Sequence, residues 1–519
     1  LLFSSQAFIL LFLPVSLIGY QLLSRLGRSA TLAWLTGMSL VFYAYWNLSY
    51  LALLAASILV NFLFSWKLGA GKPESGQNRW LGFAIAANLA LLIYYKYLFP
   101  LLNFFHDRGA ISHRFTNVIL PLGISFFTFT QIAYLIDLRQ QIAKRQGLLR
   151  YSFFVTFFPH LIAGPIIHPR EIMPQLEDPG TRGLSWDDVA IGLSWFIVGL
   201  AKKVLIADRI APLAELLYDH PRDAGMLTTW FGAIAYAMQV YFDFSGYSDM
   251  AVALARMFGI RFPFNFDSPY KSQNFIEFWT RWHMTLSRYL NEYLYTPAVR
   301  WVSARRMDQG KKVDRKAGAT LEGFFQMVFI PTMYTMVIAG VWHGAGLQFL
   351  IYGMLLGTYL VVNHAWRYLT PRGSRFHDVI PKPILTGVTF LSFVIGLVFF
   401  RATNPRDAFY IIGSLFGHHG FGPSLASNPY ALSMDSPVRF KTIPRCLAAL
   451  AICSVIVWCL PNTQEIFHQI PGDRTRSYSL IAPNLAWHRT AAWSVGLAAL
   501  LCLCILMFDA NARFLYFQF

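Results

Sequence analysis

Two histidines stand among aromatic residues where an imidazole could move a proton: His283 in "EFWTRWHMTLSRYLNEYLY" and His343 in "AGVWHGAGLQFLIYGMLLG". A neutral imidazole, with its ordinary pKa near 6.5, can accept a proton at neutral pH. His343 follows the apolar run "IPTMYTMVIAGVW", which predicts that it is carried into the protein interior. Gly340 and Gly344, four residues apart, would let a second helix approach closely. Glu277, Arg281, Arg288 and Glu292 recur at helical spacing beside Trp279, Trp282 and Tyr289, which predicts a helix in or near a membrane interface with His283 on it. Taken alone, a buried histidine is more often a structural hydrogen-bonding residue than a catalyst. No serine or cysteine nucleophile motif, Walker loop or HExxH zinc motif competes with this pair.

Two further segments hold polar residues among apolar ones, where such side chains default to functional hypotheses. In residues 157–176, "FFPHLIAGPIIHPREIMPQL", five interruptions (Pro159, Gly164, Pro165, Pro169, Pro174) exclude one regular helix. The alternatives are a broken, re-entrant segment near an active site or a surface loop. In residues 241–270, Asp243, Ser245, Tyr247, Ser248 and Asp249 cluster, and Gly246 would permit a bend. From Ser248 the pattern predicts an amphipathic helix with Asp249 near its start. Capping and helix packing would explain the same residues without chemistry.

The elements that must position these groups follow from composition. The chain has 519 residues, 55% hydrophobic, 17% aromatic and only 13% charged, against roughly 25% charged in soluble proteins. The apolar residues form long runs, such as 51–64, 81–98, 384–400 and 491–508. Together they predict about a dozen membrane-embedded helices of roughly 20 residues. Bilayers admit only helices and closed barrels, and these runs lack the alternation of barrel strands. The expectation is an all-α polytopic membrane protein forming a single domain, with its catalytic core in about 157–360. The first run, 7–20, lacks a basic leader and a small-residue cleavage site, so it reads as a membrane helix rather than a signal peptide.

A net charge of +17 is carried by loops, with Arg25, Arg28, Lys67, Lys72, Arg79, Arg139, Lys144, Arg145 and Arg150 following odd-numbered helices. The positive-inside rule then places the N-terminus outside and these loops in the cytoplasm, facing anionic lipids or a phosphate-bearing donor. No soluble basic domain is present, so nucleic-acid binding is excluded. Residues 301–321, "WVSARRMDQGKKVDRKAGATL", read as a cytoplasmic loop. All five cysteines lie in late apolar runs without a C-x-x-C pair, which argues against a metal site.

The ordered motifs "FDFSGYSDMA", "PFNFDSPY", "EFWTRWHMTLSRYLNEYLY" and "VWHG" resemble the membrane-bound O-acyltransferases. The likeness is to the bacterial branch that serves alginate O-acetylation and teichoic-acid D-alanylation. "FPHLIAGPI" and "FFRATNPRDAFYIIGSLFG" extend it over most of the chain. The resemblance implies a helical bundle around a funnel or tunnel, with His343 deep inside as general base and His283 nearer the mouth. Trp282 and Trp342 would shape the walls, with Asp243 and Asp249 in support. It implies no bound cofactor or metal. The donor would be acetyl-CoA or an acyl carrier protein in the cytoplasm. The partners would be a periplasmic acetyltransferase, an exported polysaccharide and membrane lipids. In one place the chain departs from the alginate pattern. After "NEYLYTP" it runs into "AVRWVSARRMDQGKKVDRKAG" rather than a short Gly-Gly turn, which leaves donor and subfamily open.

The ending "RFLYFQF" resembles the aromatic tyrosine motif of a small partner in teichoic-acid systems. Tyr516 would then accept the acyl group in cis. A protease-site remnant would read ENLYFQ and stop at Gln, whereas an interfacial aromatic belt is an equal alternative. Among other classes, a proton-coupled transporter using His160, His283 and His343 would require acidic residues within consecutive spans and an inverted repeat. A scaffold for a periplasmic acetyltransferase would not need His343. Lipid or protein acylation is the alternative within the enzyme class.

Overall fold

The computed structural model describes residues 2–68, 75–116, 118–177, 183–370, 380–421, 443–467, 480–481, 485–508 and 515. Every regular element among them is a helix. Seven helices are long and apolar enough to cross a membrane: Phe8–Leu26, Leu48–Leu68, Gly76–His106, Trp186–Asp219, Leu321–His343, Leu347–Leu369 and Lys382–Arg401. Arg445–Cys459 and Ala491–Leu506 are shorter apolar helices. The chain folds into two compact units, one of Leu1–Val204, Ser245–Phe264 and Thr490–Gln518, the other of Leu205–Phe244 and Asn265–Arg489.

In the first unit, polar side chains join helices where apolar surface alone discriminates weakly. Asn61 and Asn88 exchange two amide hydrogen bonds, at 3.1 and 2.6 Å, across the helices Leu48–Leu68 and Ser75–Ile93. Gln131 donates to Ser57 Oγ at 2.9 Å and accepts from the Tyr151 hydroxyl at 3.1 Å.

The proline-rich segment is broken and buried. Leu148–Thr156 ends, Phe158–Leu161 forms a single turn, and a regular helix resumes at Pro169–Glu177. Residues 157–169 are buried, so the surface-loop alternative fails. The Phe158 N–H donates to Ser39 Oγ at 3.0 Å, and His160 Nε2 bonds the Phe154 carbonyl at 2.9 Å. Such partners are what irregular backbone needs away from water.

Met226–Met257 is one uninterrupted helix through "YFDFSGYSDM", which corrects the expected bend at Gly246 and helix start at Ser248. Gly246 serves close packing instead. A Cβ there would lie 2.7 Å from the Gly199 carbonyl oxygen, and a Cβ on Gly199 would lie 2.8 Å from that of Gly246. Asp249 is therefore mid-helix, and the Lys202 ammonium, not a helix N-terminus, meets its carboxylate.

In the second unit, much of the expected basic loop is helix, over Thr296–Asp308 and Arg315–Gly318. The buried Arg306 guanidinium donates through Nε and Nη2 to the Lys312 carbonyl, both at 3.2 Å. Charge in this segment thus ties down the turn after the helix.

Candidate active site

His343 is the last residue of the helix Ile330–His343. The neighbouring helix Leu347–Leu369 packs tightly on it, because a Cβ on Gly340 would meet the Phe349 carbonyl oxygen at 2.4 Å and Gly353 Cα at 2.7 Å. Of the expected glycine pair, Gly340 gives this close approach, whereas Gly344 lies past the helix end and faces the Phe349 ring. The His343 ring lies 5.0 Å from Phe400 and 6.0 Å from Tyr352, both edge-on, and 4.7 Å from Trp342. Phe400 also contacts Tyr352 at 5.1 Å and Phe349 at 5.7 Å, so the ring's neighbours brace one another. His343 is half-buried rather than fully enclosed in the interior as expected.

His283 is held differently. The single interface helix expected over this stretch is two short helices, Phe275–Trp279 and Met284–Leu290, with His283 at the break in left-handed backbone, φ +41°. The break arises because the "NFD" residues pair with it. The Asp267 N–H donates to the Arg281 carbonyl and the Met284 N–H to the Asn265 carbonyl, each at 2.9 Å. Gln464 donates to the Phe266 carbonyl, and Asn462 Nδ2 to Asp267 Oδ1 at 3.0 Å, which secures the pairing strip from the other side.

The His283 side chain is buried, at 2% exposure. Its Nδ1 is 3.0 Å from Asn265 Oδ1, and the ring of Phe244 meets it edge-on at 4.7 Å. Nε2 is buried with no hydrogen-bond partner among the described residues. His283 lies outside the seven spans, and burial holds its imidazole well below the usual pKa, so the ring is neutral at neutral pH.

Trp282 stacks nearly parallel to Tyr270 at 6.0 Å and Phe278 at 5.7 Å, with Phe393 edge-on to it at 5.0 Å. Asp243 is buried and precedes Phe244 on the same helix. Asp249 belongs to the first unit and is paired there with Lys202. Tyr516 lies outside the described residues. Among the described residues, no group of three or more His, Cys, Asp or Glu is placed to hold a metal ion.

Sequence reasoning missed Asn265, Tyr352 and Phe400. Asn265 carries a faint signal, a lone amide inside "FPFNFDS". Its partner stands 18 residues away, a separation that no helical or strand period links.

Residues 32–308 match the membrane-bound O-acyltransferase family. Over 93% of its length the chain is 34% identical to the peptidoglycan O-acetyltransferase of Helicobacter pylori, covering 94% of that protein. This chain belongs to the membrane-bound O-acyltransferase family. It is also 34% identical, over 100% of both chains, to the probable alginate O-acetylase AlgI of Azotobacter vinelandii. The teichoic acid D-alanyltransferase of Bacillus subtilis is 30% identical over 53% of this chain and 65% of its own. As a membrane-bound O-acyltransferase, the protein is a multi-pass membrane enzyme, in keeping with the seven candidate spans among the described residues. His283 falls inside the family match, and His343 lies beyond it within the full-length similarity to the Azotobacter protein.

Proposed function

We propose that this acyltransferase moves an acetyl group from a cytoplasmic thioester, acetyl-CoA or an acyl carrier protein, towards O-acetylation of an exported polysaccharide. It would work in the bacterial inner membrane beside a periplasmic acetyltransferase. His343 is the general base. The acceptor hydroxyl oxygen bonds to the acyl carbon as the carbon–sulfur bond breaks. His343 takes the hydroxyl proton and returns it to the leaving thiolate, a role worth about 10²–10⁴-fold. The observation that carries this reading is a half-buried imidazole at a helix end, braced by Phe400 and Tyr352, in a chain whose full-length relatives are named for O-acetylation. The D-alanyl relative aligns over only 53% of this chain, which favours acetyl.

His283 supports transfer from a second position, Trp282 and Trp342 shape the tunnel walls, and Asp243 is a supporting residue. Asp249 supports the fold through Lys202. The tail residue Tyr516 is proposed as an acyl relay on its sequence context alone, with an aromatic belt as the alternative.

The test is the acetyl-ester content of the exported polysaccharide in cells lacking the native gene and complemented with wild type or His343→Ala at equal expression. Loss of esters with His343→Ala alone is expected. Esters at the wild-type level would reduce the protein to a scaffold and overturn the reading.

A further inference from the structure

The hydrogen bonds around Asn265 determine which nitrogen of His283 carries the proton. Asn265 Oδ1 receives the backbone N–H of Thr285 at 3.3 Å and the Thr285 hydroxyl at 2.7 Å. A backbone N–H can only donate, so the side-chain atom facing it is the amide oxygen and not the nitrogen. The same oxygen faces His283 Nδ1 at 3.0 Å. An amide oxygen can only accept, so Nδ1 must hold the proton. In a neutral ring Nε2 then carries the lone pair, and this is the buried nitrogen without a hydrogen-bond partner among the described residues. Leaving a buried acceptor unsatisfied is costly, and the cost is relieved when a ligand's N–H or O–H meets it.

Asn265 grips the backbone of the same turn. Its carbonyl accepts the Met284 N–H at 2.9 Å, next to the left-handed His283 at φ +41° and ψ +53°. That conformation is strained for a non-glycine residue and persists only where its surroundings dictate it. Asn265, His283 and Thr285 are each at most 2% exposed, so water does not compete for these bonds.

We propose that Asn265 is a positioning residue that locks His283 in the Nδ1–H tautomer and presents Nε2 as a proton acceptor to a hydrogen-bond donor of the bound substrate. The substrate group that meets Nε2 must bring a proton, as a hydroxyl or an amide N–H does. A thioester sulfur or carbonyl oxygen cannot serve. The relevance to catalysis rests on the proposed transfer reaction, whereas the tautomer itself does not.

The experiment is nitrogen NMR of the full-length protein labelled with ¹⁵N-histidine, without donor or acceptor, the His283 signals being assigned by their loss in His283→Gln. Wild type should show protonated Nδ1 and unprotonated Nε2. Asn265→Leu, which removes the acceptor, should lose that preference. A wild-type Nε2–H form, or an unchanged tautomer in Asn265→Leu, overturns the proposal.

Asn265→Asp keeps an acceptor oxygen and serves where the leucine variant does not fold. It should retain the Nδ1–H tautomer. Its new carboxylate favours the imidazolium, so His283 protonates at higher pH. The His283 ring itself, followed by its ¹⁵N shifts through a pH titration, should protonate about one pH unit or more above wild type, an effect that repacking alone would not give. An unmoved His283 titration overturns the positioning role. Wild-type transfer by His283→Ala would instead defeat the proposed part of His283 in the reaction, with the tautomer spectra still deciding the role of Asn265.

Discussion

Gly340 lies against Gly353 so closely that a Cβ on the first would sit 2.7 Å from Cα of the second, one turn before His343. No side chain can enter that gap without moving a helix. Gly340→Ala should therefore destabilise the protein by about 1–3 kcal/mol and displace the imidazole, lowering both melting temperature and transfer rate. Gly387, where an added Cβ would meet nothing within 4 Å, is the control. Its alanine variant should hold or raise the melting temperature, since Gly→Ala at a compatible site is worth about 0.4–1 kcal/mol.

Lys202 Nζ donates to Asp249 Oδ2 at 2.6 Å, with both side chains largely buried. Lys202→Met would take the ammonium away from the largely buried Asp249 carboxylate. Removing one partner of such a pair costs about 3–5 kcal/mol, and thermal unfolding in detergent should show a corresponding drop. The double variant Lys202→Met, Asp249→Leu should recover most of it, because no lone charge remains. If both fall equally, the pair is not what holds Asp249.

The fold class was legible because long apolar runs and scarce charge leave a bilayer few alternatives. The close packing at Gly340 was legible too, although its partner in the expected spacing, Gly344, lies past the helix end in extended backbone. The break at His283 was not. Glu277 lies in the first short helix and Arg281 beyond its end, yet their four-residue spacing still gives an ion pair at 3.0 Å. What ends it is the pairing of Asp267 with Arg281 and Met284 with Asn265, a long-range relationship that no local period encodes. Asp249 misled in the opposite way. A polar cluster read as a helix start proved to be mid-helix, its charge answered by a lysine 47 residues earlier.

Phe400 braces His343 and Tyr352 together. Phe400→Leu keeps the site apolar but removes the flat edge against the imidazole. Misorientation of a base weakens the chemical step more than substrate binding. The expected result is a kcat lowered by about tenfold or more with KM little changed, measured by steady-state acetyl transfer. A change confined to KM would place Phe400 in substrate binding instead.

Arg306 holds the turn after its helix through the Lys312 carbonyl. Hydrogen bonds from a charged group contribute about 1.5–3 kcal/mol, so Arg306→Gln should loosen residues 309–313. Limited trypsin digestion should then cut after Lys311 or Lys312 about tenfold faster or more than in wild type. An unchanged cutting rate would mean that the turn is held by other contacts.

The most direct test of the central claim uses purified protein in liposomes, with labelled acetyl-CoA and a hydroxyl acceptor, comparing wild type with His343→Ala. A proton acceptor at the reacting hydroxyl predicts a transfer rate lowered by about 10²-fold or more, with the melting temperature unchanged. Transfer by His343→Ala at the wild-type rate would contradict the account.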